Sequence, residues 1–161
     1  MEKKEFAFSY EVYPSAHDLP AEESALLHQA RSATALSYAP YSRFRVGAAA
    51  RLRNGEVLTG SNQENASFPA GLCAERVLLA AAASRYPGVA VELMAISYRN
   101  ENGASQWPIS PCGICRQALQ ENEQRDGIPI RLVLGGLEGP VYVIEAASHL
   151  LPLAFTSREL I

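Results

Sequence analysis

Residues 71–84, GLCAERVLLAAAAS, join a cysteine and a glutamate to a run of small apolar residues. The run is apolar on nearly every side, so we expect a helix that lies between other layers of structure. We predict that this helix covers residues 68–86, because a Pro-Gly pair follows it. A cysteine and an acid are unusual at the start of a buried helix, so Cys73 and Glu75 call for a chemical explanation.

The segments on either side of this helix predict a mixed sheet. Residues 44–53 and 56–65 are predicted strands joined by a hairpin turn at Asn54-Gly55. The other predicted elements are a helix over about 20–38, a strand at 91–99, a helix over 111–124 with Pro111 in its first turn, strands at 128–136 and 141–146, and a short helical end at 147–155. This order predicts an α/β fold, a three-layer α/β/α arrangement with a mixed sheet of about five strands.

The chain length suits one domain. With 161 residues, the chain can bury a sizeable core without dividing. We assign residues 20–161 to a single catalytic domain and residues 1–19 to an N-terminal extension. The extension has no clear period, and an edge strand, an interface arm and a loose tail all remain open for it.

Composition and charge exclude several classes of function. The formal net charge is −3 and no basic block is present, so we expect no nucleic-acid partner. No apolar run approaches the roughly 18 residues that span a bilayer, and the N-terminus lacks the apolar core of a signal peptide. We therefore expect a cytoplasmic protein without a membrane partner. Three cysteines cannot all pair, so a disulfide framework is not expected.

The three cysteines have the pattern of a metal site. Cys112 and Cys115, in SPCGIC, have the spacing that lets two sulfurs reach one ion, and Cys73 also opens a predicted helix. Three thiolates without an obvious fourth ligand match a catalytic zinc site with one open position. Two helix N-termini and the positive charge of Arg76 would stabilise the thiolates. The alternative is three buried apolar cysteines.

Glu75 has two interpretations. A carboxylate in the first turn of a helix is favoured by the helix dipole, which alone could explain this residue. Beside a zinc ion that lowers the pKa of a bound water to about 7, a carboxylate can instead carry protons to and from the substrate.

These motifs resemble a known family. CAE followed by PCGIC resembles the signature of the zinc-dependent nucleoside deaminases. YAPYSRFRVGAA, GSNQENASFPAGLCAER, SPCGICRQAL and LLPLAF narrow the resemblance to the small cytidine deaminases, over residues 38–155.

The resemblance implies zinc-dependent hydrolysis of cytidine and 2′-deoxycytidine to uridine and 2′-deoxyuridine plus ammonia, in pyrimidine salvage. It implies one zinc ion per subunit, held by Cys73, Cys112 and Cys115. Zinc-bound hydroxide would attack carbon 4 of the base, with Glu75 as the proton shuttle and Arg76 near the sulfurs.

The resemblance also implies the substrate contacts and a homotetramer. Asn62 and Glu64 would hydrogen-bond the ribose 3′-hydroxyl, and Phe44 would pack on the base. The other implied contacts are Val46 near the base, the backbone of Ala74 at the base carbonyl, the Ser110 carbonyl at the amine, and Phe155 from a neighbouring subunit. Phe68 stands where many relatives have tyrosine.

Two other functions remain open. One is an antibiotic-nucleoside deaminase of the blasticidin S type, which shares the metal motif. The other is a catalytically silent, zinc-stabilised nucleoside-binding protein, although a purely structural site would not need Glu75.

Overall fold

A single mixed sheet organises the chain. The computed structural model describes residues 1–160. Its strands are β1 Glu11–Tyr13, β2 Phe44–Leu52, β3 Val57–Ser61, β4 Val91–Asn100, β5 Arg131–Gly135 and β6 Val141–Ile144, and its α-helices are α1 Ala21–Ala33, α2 Ala74–Arg85 and α3 Gly113–Asp126. The strand order is β1-β6-β5-β4-β2-β3, with β4 and β5 parallel and the other neighbours antiparallel. The predicted α/β fold with a mixed sheet is confirmed.

Helices cover both faces of the sheet. On one face, Leu27 and Ala30 of α1 pack in a buried cluster with Ala49 of β2. On the other face, Leu78 of α2 and Leu119 of α3 share a cluster with side chains of β2, β4 and β5. Neighbouring residues of β2 thus point into opposite cores, as the period of a strand requires.

The sheet has one strand more than the five that the sequence predicted. The additional strand, β1, pairs with β6 and places Glu11 opposite Val143. It lies in the N-terminal extension, so part of that segment is an edge strand, one of the three possibilities left open. Three residues of mixed character are too few to show a strand period in sequence. The assignment of residues 1–19 and 20–161 to an extension and a domain stays a prediction.

Helix α2 begins later than predicted. Phe68–Ala70 form a short 3-10 turn, and Cys73 is the N-cap residue before the first helical residue, Ala74. The helix also packs on one side only within this chain, since Ala80 and Ala83 are exposed. The prediction of burial on all sides was therefore wrong for a single chain.

Helix α3 also begins later than predicted. Pro111 precedes the helix, and Cys112 is its N-cap residue. With 14 residues, α3 is still the longest helix. Within residues 1–160, no helix is both long and apolar enough to cross a membrane.

Gly60 sets the distance between α2 and the sheet. A Cβ atom on Gly60 would lie 2.6 Å from the carbonyl oxygen of Ala74 and 2.8 Å from the amide nitrogen of Leu78. Only a residue without a side chain fits between β3 and the first turns of α2. The same contact fixes the position of Cys73 and Glu75 relative to β3.

Candidate active site

The starts of α2 and α3 bring the three cysteines together. The sulfur atoms of Cys73 and Cys112 lie 3.7 Å apart, those of Cys112 and Cys115 lie 3.6 Å apart, and all three lie within 4.8 Å of one another. Tetrahedral zinc with Zn–S bonds of about 2.3 Å separates its sulfurs by about 3.8 Å. The cluster therefore fits one zinc ion.

The cluster is open on one side only. Cys115 is fully buried, Cys73 is half-buried and Cys112 is exposed. Cys73 and Cys112 line a cavity next to the cluster, whereas Cys115 does not. A zinc ion with three protein ligands keeps one position for a further ligand in catalytic sites, and two of the three cysteines here border the cavity.

The protonation of the thiols follows from their contacts. A hydrogen bond from the Cys115 thiol lowers the pKa of Cys73 to about 6, and the charge of Arg76 acts in the same direction. The same hydrogen bond raises the pKa of Cys115. A bound metal ion overrides this difference, because it deprotonates the thiols that coordinate it. Two helix N-termini then stabilise the resulting negative charge.

Glu75 lies beside the cluster and faces the cavity. It is the second residue of α2, only 4% exposed, and it lines the same cavity as Cys73. Burial raises the pKa of its carboxyl group above the usual value. A carboxylate with a raised pKa accepts a proton more readily than an ordinary exposed one, which suits an acid-base role.

The cavity next to Glu75 has a volume of about 660 Å³, which suits a small molecule. Five of the seven predicted substrate-binding residues line it, namely Phe44, Val46, Asn62, Glu64 and Ser110. Ala74 is fully buried beneath its wall.

The side chain of Asn62 is held by the first residues of β2 and by Ser37. Its amide oxygen accepts hydrogen bonds from the Val46 amide, at 2.7 Å, and from the Ser37 hydroxyl. Its amide nitrogen donates to the carbonyl oxygen of Phe44 at 3.0 Å. One N–H of the amide is left for another partner.

Glu64 closes the adjacent loop. Its carboxylate accepts hydrogen bonds from the backbone amides of Tyr41 and Ser42 and from the Ser42 hydroxyl. These bonds, chiefly the one from the hydroxyl, lower the pKa of Glu64. The residue is therefore an anion that still has lone pairs for a further donor.

Comparison with known proteins decides the family. The sequence model described as "Cytidine and deoxycytidylate deaminase zinc-binding region" matches residues 20–128. A cytidine deaminase of Halalkalibacterium halodurans is 38% identical over 141 residues, which cover 86% of this chain and 98% of that protein.

The chain belongs to the cytidine and deoxycytidylate deaminase family. Solved structures agree with this assignment. The crystal structure of cytidine deaminase from Burkholderia pseudomallei has a TM-score of 0.71 at 38% identity, and covers 85% of this chain and 100% of that chain. Cytidine deaminase from Mycobacterium tuberculosis has a TM-score of 0.65 at 31% identity, and covers 84% and 98%. The predicted zinc-binding deaminase domain is confirmed.

Two further predicted site residues, Arg76 and Phe155, differ in whether they line the cavity. Arg76 lines the cavity beside Cys73. Phe155 does not line the cavity of its own chain: it is exposed, and its carbonyl oxygen accepts a hydrogen bond from Gln117 at 2.8 Å. A role for Phe155 in this chain's own cavity is therefore not supported, and the predicted role in a neighbouring subunit stays a prediction.

Sequence reasoning missed part of the deaminase cavity wall. Tyr41, Ile109 and Ile114 line the cavity, and Phe68 packs edge-on against Tyr41 with 6.0 Å between ring centroids. Tyr41 lies within the motif YAPYSRFRVGAA, three residues before Phe44, so its position in the sequence could have marked it. Ile109 lies in an irregular segment, where no periodic pattern marks a lining residue.

Proposed function

We propose that this chain is a zinc-dependent hydrolase that deaminates cytidine and 2′-deoxycytidine to uridine and 2′-deoxyuridine, releasing ammonia. The observation that carries the proposal is the buried carboxyl group of Glu75 beside three sulfurs that fit one zinc ion, at the wall of a cavity of about 660 Å³. The three relatives, from Halalkalibacterium halodurans, Burkholderia pseudomallei and Mycobacterium tuberculosis, are named cytidine deaminases, which favours these substrates.

The chemistry divides between the metal and Glu75. Zinc, when bound by the three cysteines, supplies a Lewis acid that makes hydroxide available at neutral pH. Glu75 would take one proton of a water and give it to ring nitrogen 3, where it stays. It would then take the second proton of that water and give it to the amine that leaves carbon 4. One water is consumed for each ammonia released, and Glu75 returns to its starting state. Such proton transfer typically contributes about 10²–10⁴ in rate.

The rest of the cavity orients the nucleoside. The free N–H of Asn62 and the carboxylate of Glu64 would bind the ribose 3′-hydroxyl. Phe44 would contact the base through one ring face, because its other face stacks on Tyr98 with 4.9 Å between centroids. Val46 borders the same space.

Two backbone groups would form hydrogen bonds with the polar edge of the base. Ala74 is the first residue of α2, so its N–H lacks a partner within the helix and would meet the base carbonyl. The carbonyl of Ser110, on the opposite wall, would accept from the amine. A site that binds a sugar hydroxyl rejects substrates that lack it, because its own polar groups would lose their partners.

Contact with the 3′-hydroxyl favours a free nucleoside over a nucleotide inside a polymer. The net charge of −3 also disfavours a nucleic-acid partner. The blasticidin S alternative and the silent binding protein are not favoured, because the relatives are named cytidine deaminases and Glu75 is present.

We also propose a cytoplasmic homotetramer. Exposed Phe155 and the exposed apolar side of α2 support contact between copies of the chain. In that assembly Phe155 would cover the base bound in a neighbouring subunit.

A spectrophotometric assay tests the proposed function. The zinc-loaded protein is incubated with cytidine, deoxycytidine, adenosine and blasticidin S, with and without a chelator. We expect turnover of cytidine and deoxycytidine alone, lost with the chelator and restored by zinc. Preferred turnover of blasticidin S, or no turnover of any nucleoside by a fully loaded sample, would overturn the proposal.

A further inference from the structure

Arg116 joins three segments of the chain next to the cysteine cluster. It follows Cys115 in α3, and its Nε atom donates a hydrogen bond of 2.8 Å to the carbonyl oxygen of Pro111. Its Nη1 atom donates a bond of 3.1 Å to the carbonyl oxygen of Leu150. One guanidinium group therefore links α3 to the segment before it and to the C-terminal segment.

In the described part of the chain, the last residues before Cys112 have no other hydrogen bond to hold them, although Ile109 packs against the core. Residues 101–112 form neither helix nor strand, yet they supply Ile109 and Ser110 to the cavity wall and end at Cys112. Among the hydrogen bonds within residues 1–160, the one from Arg116 is the only bond to residues 107–111. Pro111, whose carbonyl it holds, is buried and directly precedes Cys112.

The charge of Arg116 is not used in an ion pair. Across residues 1–160, no carboxylate lies within salt-bridge distance of this guanidinium, unlike Arg131 or Arg125. Its two hydrogen bonds go to backbone carbonyls of different segments. The planar fork of arginine suits this geometry better than the single ammonium group of lysine. Arg116 therefore holds the backbone of two segments in position and does not neutralise the charge of a carboxylate.

We propose that Arg116 is a positioning residue for the metal centre. By holding the carbonyl of Pro111, it keeps Cys112 at the distance from Cys73 and Cys115 that one zinc ion needs, and it keeps Ser110 against the cavity. The inference rests on the proposed zinc site, and it assigns to Arg116 no contact with substrate. Partners that orient metal ligands typically contribute about 10–100-fold in metal affinity or activity.

The test compares Arg116→Gln and Arg116→Lys with the wild-type protein. Zinc release to a chromogenic chelator is followed over time, and the cobalt-substituted proteins are compared by their thiolate-to-cobalt absorption bands. We expect Arg116→Gln to release zinc at least about tenfold faster and to alter the cobalt bands. Lysine keeps the charge but can hold only one carbonyl firmly, so Arg116→Lys should fall between the two.

Arg125→Gln is the matched control. Arg125 lies near the far end of α3 and bonds only to Asp126 and Asn122 within the same helix. The Arg125→Gln protein should release zinc at the wild-type rate and show unchanged cobalt bands.

Two results would overturn the proposal. If both Arg116 variants lower the melting temperature while zinc release and the cobalt spectrum match those of wild type, Arg116 only stabilises the fold. If the wild-type protein itself binds neither metal, the zinc site fails and the positioning role fails with it. The first result leaves the proposed function intact, and the second does not.

Discussion

The sulfur atoms of Cys73 and Cys112 lie 3.7 Å apart although 39 positions separate the two residues in the chain. Each is the N-cap residue of its helix, so the cluster forms where α2 and α3 begin side by side. Two dipoles therefore converge on the site where thiolate charge is concentrated. This arrangement brings the three sulfurs, Glu75 and the cavity wall together at the starts of two helices.

Replacing Cys112 with serine should remove the metal and retain the fold. Cys112 is exposed, so its loss opens no cavity in the core. A neutral hydroxyl is a poor zinc ligand, and we expect metal affinity to fall by more than the about 10–100-fold that loss of an outer partner causes. Elemental analysis of zinc per chain and circular dichroism measure the two properties. Full zinc occupancy in Cys112→Ser would mean that Cys112 is not a ligand.

Gly60→Ala should displace the first turn of α2. The added Cβ would overlap the backbone of Ala74 and Leu78. Overpacking of this kind costs about 1–3 kcal/mol, which lowers Tm by roughly 2–4 °C per kcal/mol in a chain of this size. Because Glu75 lies in the displaced turn, kcat should fall as well.

Gly103→Ala serves as the control for this change. A Cβ there meets only the end of the flexible Asn100 side chain, at 3.2 Å. Its Tm and kcat should match those of wild type. If Gly60→Ala behaves like Gly103→Ala, close approach at Gly60 does not position the helix.

Glu123 should be a major source of stability in α3. Its buried carboxyl group accepts hydrogen bonds from the backbone amides of Ile130, Ala147 and Ser148. The Ala147 amide also donates to the Ile130 carbonyl, so Glu123→Ala would leave only the Ile130 and Ser148 amides without a partner. Each lost partner costs about 1–3 kcal/mol, so the free energy of unfolding should fall by about 2 kcal/mol or more. Urea unfolding measures this.

The exposed Glu121 of the same helix provides the comparison. Glu121→Ala should change the free energy of unfolding by no more than about 0.5 kcal/mol. Equal effects of the two substitutions would show that the three amides do not depend on Glu123.

Asn62→Asp should weaken both the contact with β2 and nucleoside binding. The amide nitrogen that donates to the Phe44 carbonyl would be replaced by a carboxylate oxygen, which repels that carbonyl. We expect a loss of about 1–3 kcal/mol in stability and a higher KM for cytidine. Asn54→Asp is the control, because the Asn54 side chain only accepts a bond, from the Glu56 amide. Unchanged KM in Asn62→Asp would argue against a role in binding the ribose.

Local patterns predicted much of the fold. The Asn54-Gly55 turn is present between β2 and β3, with Gly55 at a φ of +86°, a conformation that favours glycine. The close spacing of Cys112 and Cys115 likewise placed two sulfurs near one another, because one helical turn sets that distance. Such features depend on neighbouring residues, which a sequence displays directly.

Features that depend on distant partners were harder to predict. The close approach of α2 to β3 at Gly60 is a contact that no local pattern reveals. The strand β1 exists because β6 offers an edge to it, and the bridge from Arg116 to Leu150 spans 34 positions. Each of these requires knowledge of which segments meet in space.

The most direct test of the central claim is the turnover of zinc-loaded Glu75→Gln with cytidine, measured alongside its zinc content. Glutamine keeps the size of the side chain but cannot carry the proton. We predict one zinc per chain, as in wild type, and a kcat that is lower by about 10²–10⁴-fold. A fully loaded Glu75→Gln protein that deaminates cytidine at a rate near that of wild type would contradict the assignment of Glu75 as the group that moves the proton.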